Sequence, residues 1–243
     1  MAPSAHENFG RITIQPLRIF IGYDSNEITA CHTLMQSILA HASVPLSLTP
    51  IALSGLNGVF ARERNTLQST EFSFSRFLTP YLSGYEGWSL FVDCDIMFRD
   101  DVAKLFALAD ERSSVMVCQH DYTPSSTVKF LNHVQTVYSK KNWSSVMLFN
   151  NARCKSLTPD YVNTASGLEL HQFKWLASED EIGALPLDWN WLVGEYPHKA
   201  DAKAVHFTLG GPYFTEFADC DYAPEWRAHR AQVQSVRQRD ERS

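Results

Sequence analysis

Short apolar runs recur along this chain at lengths and intervals that suit strands in a buried sheet. Residues 17–22, 44–53, 88–92, 115–118 and 146–149 are dominated by branched, leucine and aromatic side chains. Runs of this length, bounded by turn residues, are what strands covered on both faces look like. Between the first two runs, Ile28, Cys31, Leu34, Met35, Ile38 and Leu39 recur at spacings of three and four, which lines one face of a helix. Strand, helix, strand at this spacing opens a parallel βαβ unit. The expectation is an α/β fold with a mostly parallel central sheet.

Further helices are expected at 74–82 and 102–108, the second capped by Asp100 and Asp101, because carboxylates favour a helix N-terminus. Beyond residue 150 the strand pattern thins. Residues 161–176 read as helix in pieces, 185–191 are aromatic-rich, and 204–207 form a last strand. The organisation expected is a polar tail over 1–16, one domain over 17–224, and a charged segment over 225–243. That last segment reads as a surface helix that frays, with peripheral membrane contact as the alternative.

The formal charge of −6 argues against nucleic-acid binding, which needs basic surface to release counterions. Five cysteines, widely spaced and without a C-x-x-C pair, suit a reduced protein and neither a zinc ribbon nor a disulfide scaffold. The first sixteen residues carry no apolar run of signal-peptide length, and no window approaches a membrane span. A cytoplasmic location without a transmembrane segment is therefore expected.

The run at 88–92 leads straight into Asp93-Cys94-Asp95. In an ideal strand the two carboxylates point to opposite faces. Where the chain bends at a strand's C-terminal end, both reach one hard cation such as Mn²⁺ or Mg²⁺. That is also the end at which open α/β sheets bind ligands. On a solvated loop the same triplet would mean nothing.

His206 closes another apolar stretch and precedes Gly210-Gly211-Pro212. It is either a third metal ligand, with Gly211 letting backbone N–H groups approach a phosphate, or a core histidine before an ordinary turn. Gly22-Tyr23-Asp24 follows the first strand. Tyr23 and Asp24 suit stacking on a nucleobase and hydrogen bonding to a base or ribose, and they equally suit a helix cap.

Arg76 is a cation in an apolar helical stretch, fit for a phosphate or for an internal salt bridge. Lys129, Lys140 and Lys141 are a local basic group, either facing a diphosphate or a solvated face. Glu179-Asp180-Glu181 precedes Trp189-Asn190-Trp191; acids beside tryptophans suit a sugar-binding wall, or merely a helix start.

Taken in order, these segments resemble the retaining GT-A glycosyltransferases of the family 8 type, which include bacterial lipopolysaccharide galactosyl- and glucosyltransferases and glycogenin. The likeness is to a bacterial branch of that group. It lies in the segment Phe20-Ile21-Gly22-Tyr23-Asp24, in Ser73-Phe74-Ser75-Arg76-Phe77, and in Phe91-Val92-Asp93-Cys94-Asp95. It continues in Trp143-Ser144-Ser145-Val146 and His206-Phe207-Thr208-Leu209-Gly210-Gly211-Pro212, and runs over roughly residues 17–215.

The resemblance implies transfer of a hexose from a UDP-sugar to an acceptor hydroxyl with retention of configuration. It implies Mn²⁺ (or Mg²⁺) held by Asp93, Asp95 and His206, and Gly22, Tyr23 and Asp24 at the uracil and ribose. Arg76 would sit near the donor, and Ser144 and Ser145 would floor the sugar pocket; on the residue reading of acids beside tryptophans, Trp189 would contact sugar. The acceptor would be a glycan, a lipid-linked sugar or a small molecule.

Three departures stand out. In the family's His-x-x-Gly-x-x-Lys-Pro-Trp pattern the glycine comes one residue earlier, and no lysine precedes Pro212 here, so Lys129 or Lys141 would have to replace it. Trp143 and Ser145 hold the places of the family's asparagine and glycine. Asp180-Glu181 stands for the Asp-Gln pair near the anomeric carbon, which makes those two the expected catalytic residues. The competing readings are a sugar-nucleotide pyrophosphorylase, whose glycine-rich basic loop is missing after the first strand, and a carbohydrate-binding protein without activity.

Overall fold

Strand β1 (Leu17–Gly22) sits second in a six-stranded sheet of order β2-β1-β3-β6-β5-β7. The others are β2 (Leu46–Ile51), β3 (Trp88–Val92), β5 (Val115–Cys118), β6 (Val146–Asn150) and β7 (Ile182–Leu185). This is a computed structural model, and it describes residues 15–63, 68–121 and 140–235. Strands β1, β2 and β3 are mutually parallel, and β5 is parallel to β7. β6 runs antiparallel to both β3 and β5. The sheet is therefore mixed, with one strand reversed among parallel ones.

The apolar runs lie where their composition demands. β6 is buried throughout, and β3 in all but its first residue. Ile19, Ile21, Leu90, Phe91, Met147 and Phe149 are wholly inaccessible. β2 is an edge strand, and this is why Pro50, which lacks an N–H, is tolerated in it. Helix α1 (Ile28–His41) packs beside the sheet with Cys31, Leu34 and Ile38 buried; of the other residues whose spacing predicts that face, Met35 is half-buried and Ile28 and Leu39 are exposed.

The helix expected at 74–82 is split into a 3-10 turn, Ser75–Leu78, and one α-turn, α2 (Thr79–Leu82). Pro80 explains the break: it suits a first helical turn and cannot continue a preceding one. Helix α3 (Val102–Phe106) starts as expected, its Asp101 carboxylate accepting from the Ala103 N–H at 3.0 Å. Residues 161–176 contain α5 (Gly167–His171) and most of α4 (Pro159–Thr164).

A second, three-stranded sheet has the order β4-β9-β8, formed by β4 (Ile96–Phe98), β9 (Ala204–His206) and β8 (Trp191–Leu192). The chain leaves the main sheet at Val92 and enters the small one at Ile96, so Asp93 and Asp95 occupy the junction. Ile96 lies opposite His206 in the antiparallel β4–β9 pair, which brings the histidine to that junction.

Helix α6 (Ala223–Val233) is not a free tail. Trp226 and His229 are buried, with Trp226 in a small core containing Met97, Val205 and Phe207. The domain boundary read at 224 falls just inside this helix. Among the described residues no helix is long and apolar enough to cross a membrane. Lys129 lies outside the described residues.

Candidate functional site

Parallel strands present their C-terminal ends at one edge of a sheet, and backbone groups freed there are available to ligands. Asp93 and Asp24 follow β3 and β1 at that edge. Because β6 is reversed, its beginning lies there too: Val146 pairs with Val92, and the Asp93 N–H donates to the Ser145 carbonyl at 2.9 Å. Lys141, Ser144 and Ser145, in the turn entering β6, thus come to the same edge as the aspartates.

The centre of the site is Asp93, Asp95 and His206, each offering one ligand atom, all within 4.8 Å of one another. His206 Nε2 is 3.3 Å from Asp95 Oδ2. The His206 ring is buried, and the two carboxylates keep only a small exposed fraction. Two carboxylates and one imidazole suit Mn²⁺ or Mg²⁺ better than a softer metal, which prefers thiolates. Cys94, between the aspartates, is fully buried with its sulfur 3.9 Å from Glu27 Oε2 and lies outside the converging group of three; burial pushes its thiol pKa far up.

Two of the three are held from behind. Arg76 Nη1 lies 2.8 Å from Asp93 Oδ1 and donates to the Ser144 carbonyl at 2.8 Å. Arg76 is an internal salt bridge, buried between the Phe72 and Phe91 rings, with its guanidinium carbon 5.1 and 5.2 Å from their centroids. Of its two sequence readings, structure favours the internal one. His206 Nδ1 is 3.0 Å from Asn190 Oδ1, and Asn190 in turn reaches His120 and Ser145. A ligand imidazole tied through its second nitrogen is the usual arrangement of metal-binding histidines.

Glu27, at the start of α1, escaped the sequence reading. It is buried, accepts from the Tyr213 hydroxyl at 2.5 Å, and has its pKa pushed up to about 8. Desolvation is the largest cause, followed by the Asp95 charge, with Asp24 and Asp93 adding to it. Repulsion of this kind, spread over four carboxylates, is what a bound divalent cation relieves. No local sequence signal marks Glu27, since a glutamate at a helix start is ordinarily exposed.

The remaining predicted residues divide. The Asp24 carboxylate is spent on the fold: it accepts from the Asn26 N–H at 2.8 Å and from the Glu71 N–H at 2.9 Å. Tyr23 is half-buried beside it. At Gly22 a Cβ would stand 2.6 Å from Cε2 and Cγ of Phe72, so this glycine makes room for a packed ring. Gly211 does the same for Tyr213, whose Cδ1 and Cζ lie 3.0 Å from the place a Cβ would take.

Ser144 Oγ is 2.7 Å from His171 Nδ1. His171 is a second residue the sequence reading missed. Burial, then the Arg76 charge, push its pKa down to about 3, so it is a neutral imidazole beside the aspartate clamp.

Trp189 and the acidic pair are not brought to the site. Trp189 is wholly buried in the core, tilted against Phe98, and offers no face to a sugar. Asp180 and Glu181 precede β7, whose Ile182 pairs with Val115, so they stand at the N-terminal edge of the parallel strands. The Ser114 N–H donates to the Glu181 carbonyl, and Arg153 lies 3.6 Å from its carboxylate. Five residues of strand separate that level from Asp93, on the order of 15 Å. Glu179 pairs with Lys140 at 2.7 Å.

This arrangement of sheets defines a class. The fold is that of GT-A glycosyltransferases. The glycosyltransferase GlyE of Streptococcus pneumoniae superposes with a TM-score of 0.61 at 14% identity, covering 90% of this chain and 62% of that one. The WbbM bifunctional glycosyltransferase gives 0.61 at 14% identity over 89% of this chain and 50% of that one, so this chain spans less than two thirds of either. The galactosyltransferase LgtC, solved with donor and acceptor sugar analogs, gives 0.56 at 9% identity over 91% and 98%. At such identities the likeness is one of fold.

No family profile matches the chain. In sequence it is 47% identical over 228 residues to Protein CDI of Arabidopsis thaliana, covering 90% of this chain and 88% of that protein. The chain belongs to the family of Protein CDI. That relative is a plant protein, where the sequence reading had looked to a bacterial branch.

Proposed function

We propose that this chain is a metal-dependent glycosyltransferase that moves a hexose from a UDP-sugar to an acceptor hydroxyl with retention of configuration. The convergence of Asp93, Asp95 and His206 at the ligand edge of a GT-A fold carries this reading. Mn²⁺ or Mg²⁺ on these three residues would neutralise the departing diphosphate.

The chain's own residues supply the rest. Arg76 fixes the carboxylate of Asp93, and Ser144 and Ser145 pin the entry of β6 against it. Tyr23, half-exposed at the end of β1, would stack on a base. Lys141, in the turn entering β6, would replace the family lysine. A front-face path, with leaving group and acceptor on one side of the sugar, needs no protein nucleophile and accounts for retention. A glycan, a lipid-linked sugar or a small molecule would be the acceptor, and the cytoplasm the location.

A panel of nucleotide-sugars, screened by thermal shift with and without Mn²⁺, tests the proposal. A ligand at a hundred times its Kd stabilises the folded state by about 2.7 kcal/mol, which is about 5–11 °C for a domain of this size. The shift should require Mn²⁺ and vanish in Asp95→Ala. Release of UDP on adding sugar acceptors then separates an enzyme from a carbohydrate-binding protein. Failure of every UDP-sugar to bind would sink the proposal, and binding without turnover would favour the silent reading.

A further inference from the structure

Asn190 is completely buried, immediately before β8, and its side-chain amide is the hub of the polar network behind His206. Its Oδ1 faces His206 Nδ1 at 3.0 Å. Its Nδ2 faces His120 Nε2 at 3.0 Å, Ser145 Oγ at 2.8 Å and the Asn142 backbone carbonyl at 3.2 Å.

Imidazoles and hydroxyls accept or donate as needed, so most of these contacts leave the proton positions open. The Asn142 carbonyl does not: it can only accept. Asn142 is held in the left-handed region, with φ of 62°, which a non-glycine residue adopts at a cost, and Ser145 Oγ donates to the same carbonyl at 2.6 Å.

The orientation of the whole chain of bonds follows from that one acceptor. The amide side facing Asn142 must be the NH₂, with one hydrogen toward Asn142 and Ser145 and the other toward His120. His120 Nε2 therefore accepts, and its Nδ1 hydrogen goes to the Tyr196 hydroxyl at 2.9 Å. Oδ1 is left to face His206, so His206 must carry its hydrogen on Nδ1. We infer that Asn190 is the positioning residue of the metal centre: its amide holds His206 in the tautomer whose Nε2 lone pair points toward Asp95.

This inference rests on the metal centre of the proposed function. It goes beyond it in naming a residue that touches neither metal nor sugar and yet sets the affinity. A hydrogen-bonding partner of a metal-bound histidine is typically worth 10–100-fold in metal affinity.

The test is titration of the purified full chain with Mn²⁺, reading free Mn²⁺ by electron paramagnetic resonance. Asn190→Leu, which removes the acceptor, should bind about 10–100-fold more weakly. Asn190→Asp keeps an acceptor for His206 while losing the NH₂ donors, and should bind more tightly than Asn190→Leu. Unchanged binding in Asn190→Leu, or equal losses in two folded variants, overturns the inference.

Should Asn190→Leu not fold, long-range ¹H–¹⁵N spectra of the unaltered protein with saturating Mg²⁺ decide. A hydrogen on His206 Nδ1 is expected, and a hydrogen on Nε2 overturns the assignment. If the unaltered protein binds no Mn²⁺ at all, the metal centre itself falls, and this result is distinct from the others.

Discussion

Replacing Glu27 by glutamine removes a charge that the fold tolerates badly, and the effect on stability has a sign and a size. In the unfolded chain this carboxyl ionises near pH 4.5, whereas in the fold burial and the charge of Asp95 raise it to about 8. Between those values the folded protein holds a proton that the unfolded chain has released. Stability therefore falls as pH rises through this window, by about 1.4 kcal/mol per unit. The loss accumulates to an order of 4–5 kcal/mol by pH 8 and is constant above it.

Glutamine keeps an acceptor for the Tyr213 hydroxyl and carries no charge at any pH. Glu27→Gln should accordingly match the unaltered protein near pH 4.5 and exceed it by several kcal/mol at pH 9. Urea denaturation of the metal-free proteins at half-unit pH steps gives both curves. Their difference reports Glu27 together with the carboxylates coupled to it, Asp95 first. Parallel curves from pH 4.5 to 9 would refute the reasoning. Saturating Mg²⁺ should flatten the curve of the unaltered protein, because a cation on Asp95 removes the second cause of the shift.

Arg76→Met leaves the Asp93 carboxylate without its partner in a site where both side chains are nearly inaccessible. Breaking such a pair should cost about 3–5 kcal/mol in chemical denaturation, and a loss under about 1 kcal/mol would show that solvent reaches the pair. Gly22→Ala drives a methyl group into the Phe72 ring and should cost about 1–3 kcal/mol. Combining it with Phe72→Leu, which vacates that space, should recover part of the loss; strict additivity of the two would show that the ring is not the obstacle.

The strand that delivers Asp93 and Asp95 was legible because four of its five residues are buried, and complete burial leaves an uninterrupted apolar run in the sequence. The same physics made β1, β5 and β6 readable. β8 was missed because it has two residues, and a strand so short has no period to detect. The reversal of β6 could not be read, since a buried strand carries the same pattern in either direction.

At the candidate site, the grouping of Asp93, Asp95 and His206 was legible because two carboxylates and an imidazole stand out by residue type. Glu27, Asn190 and His171 were not, because their roles come from what surrounds them. Trp189 misled for a related reason: an aromatic stretch looks the same whether it faces a sugar or, as here, the core. Asp180 and Glu181 were placed by motif order, but they enter β7 and so sit at the opposite edge of the sheet.

The turn between Val92 and Ile96 joins the two sheets, and His206 comes from the second of them. An ion held by all three residues would act as a clasp between the two sheets, added to the chain connection through that turn. It would also close a loop of more than a hundred residues, from Asp95 to His206. Amide protection in β8 and β9 should then rise with metal occupancy, although both strands lie outside the main sheet. Cation binding and the order of β8 and β9 would thus be linked equilibria.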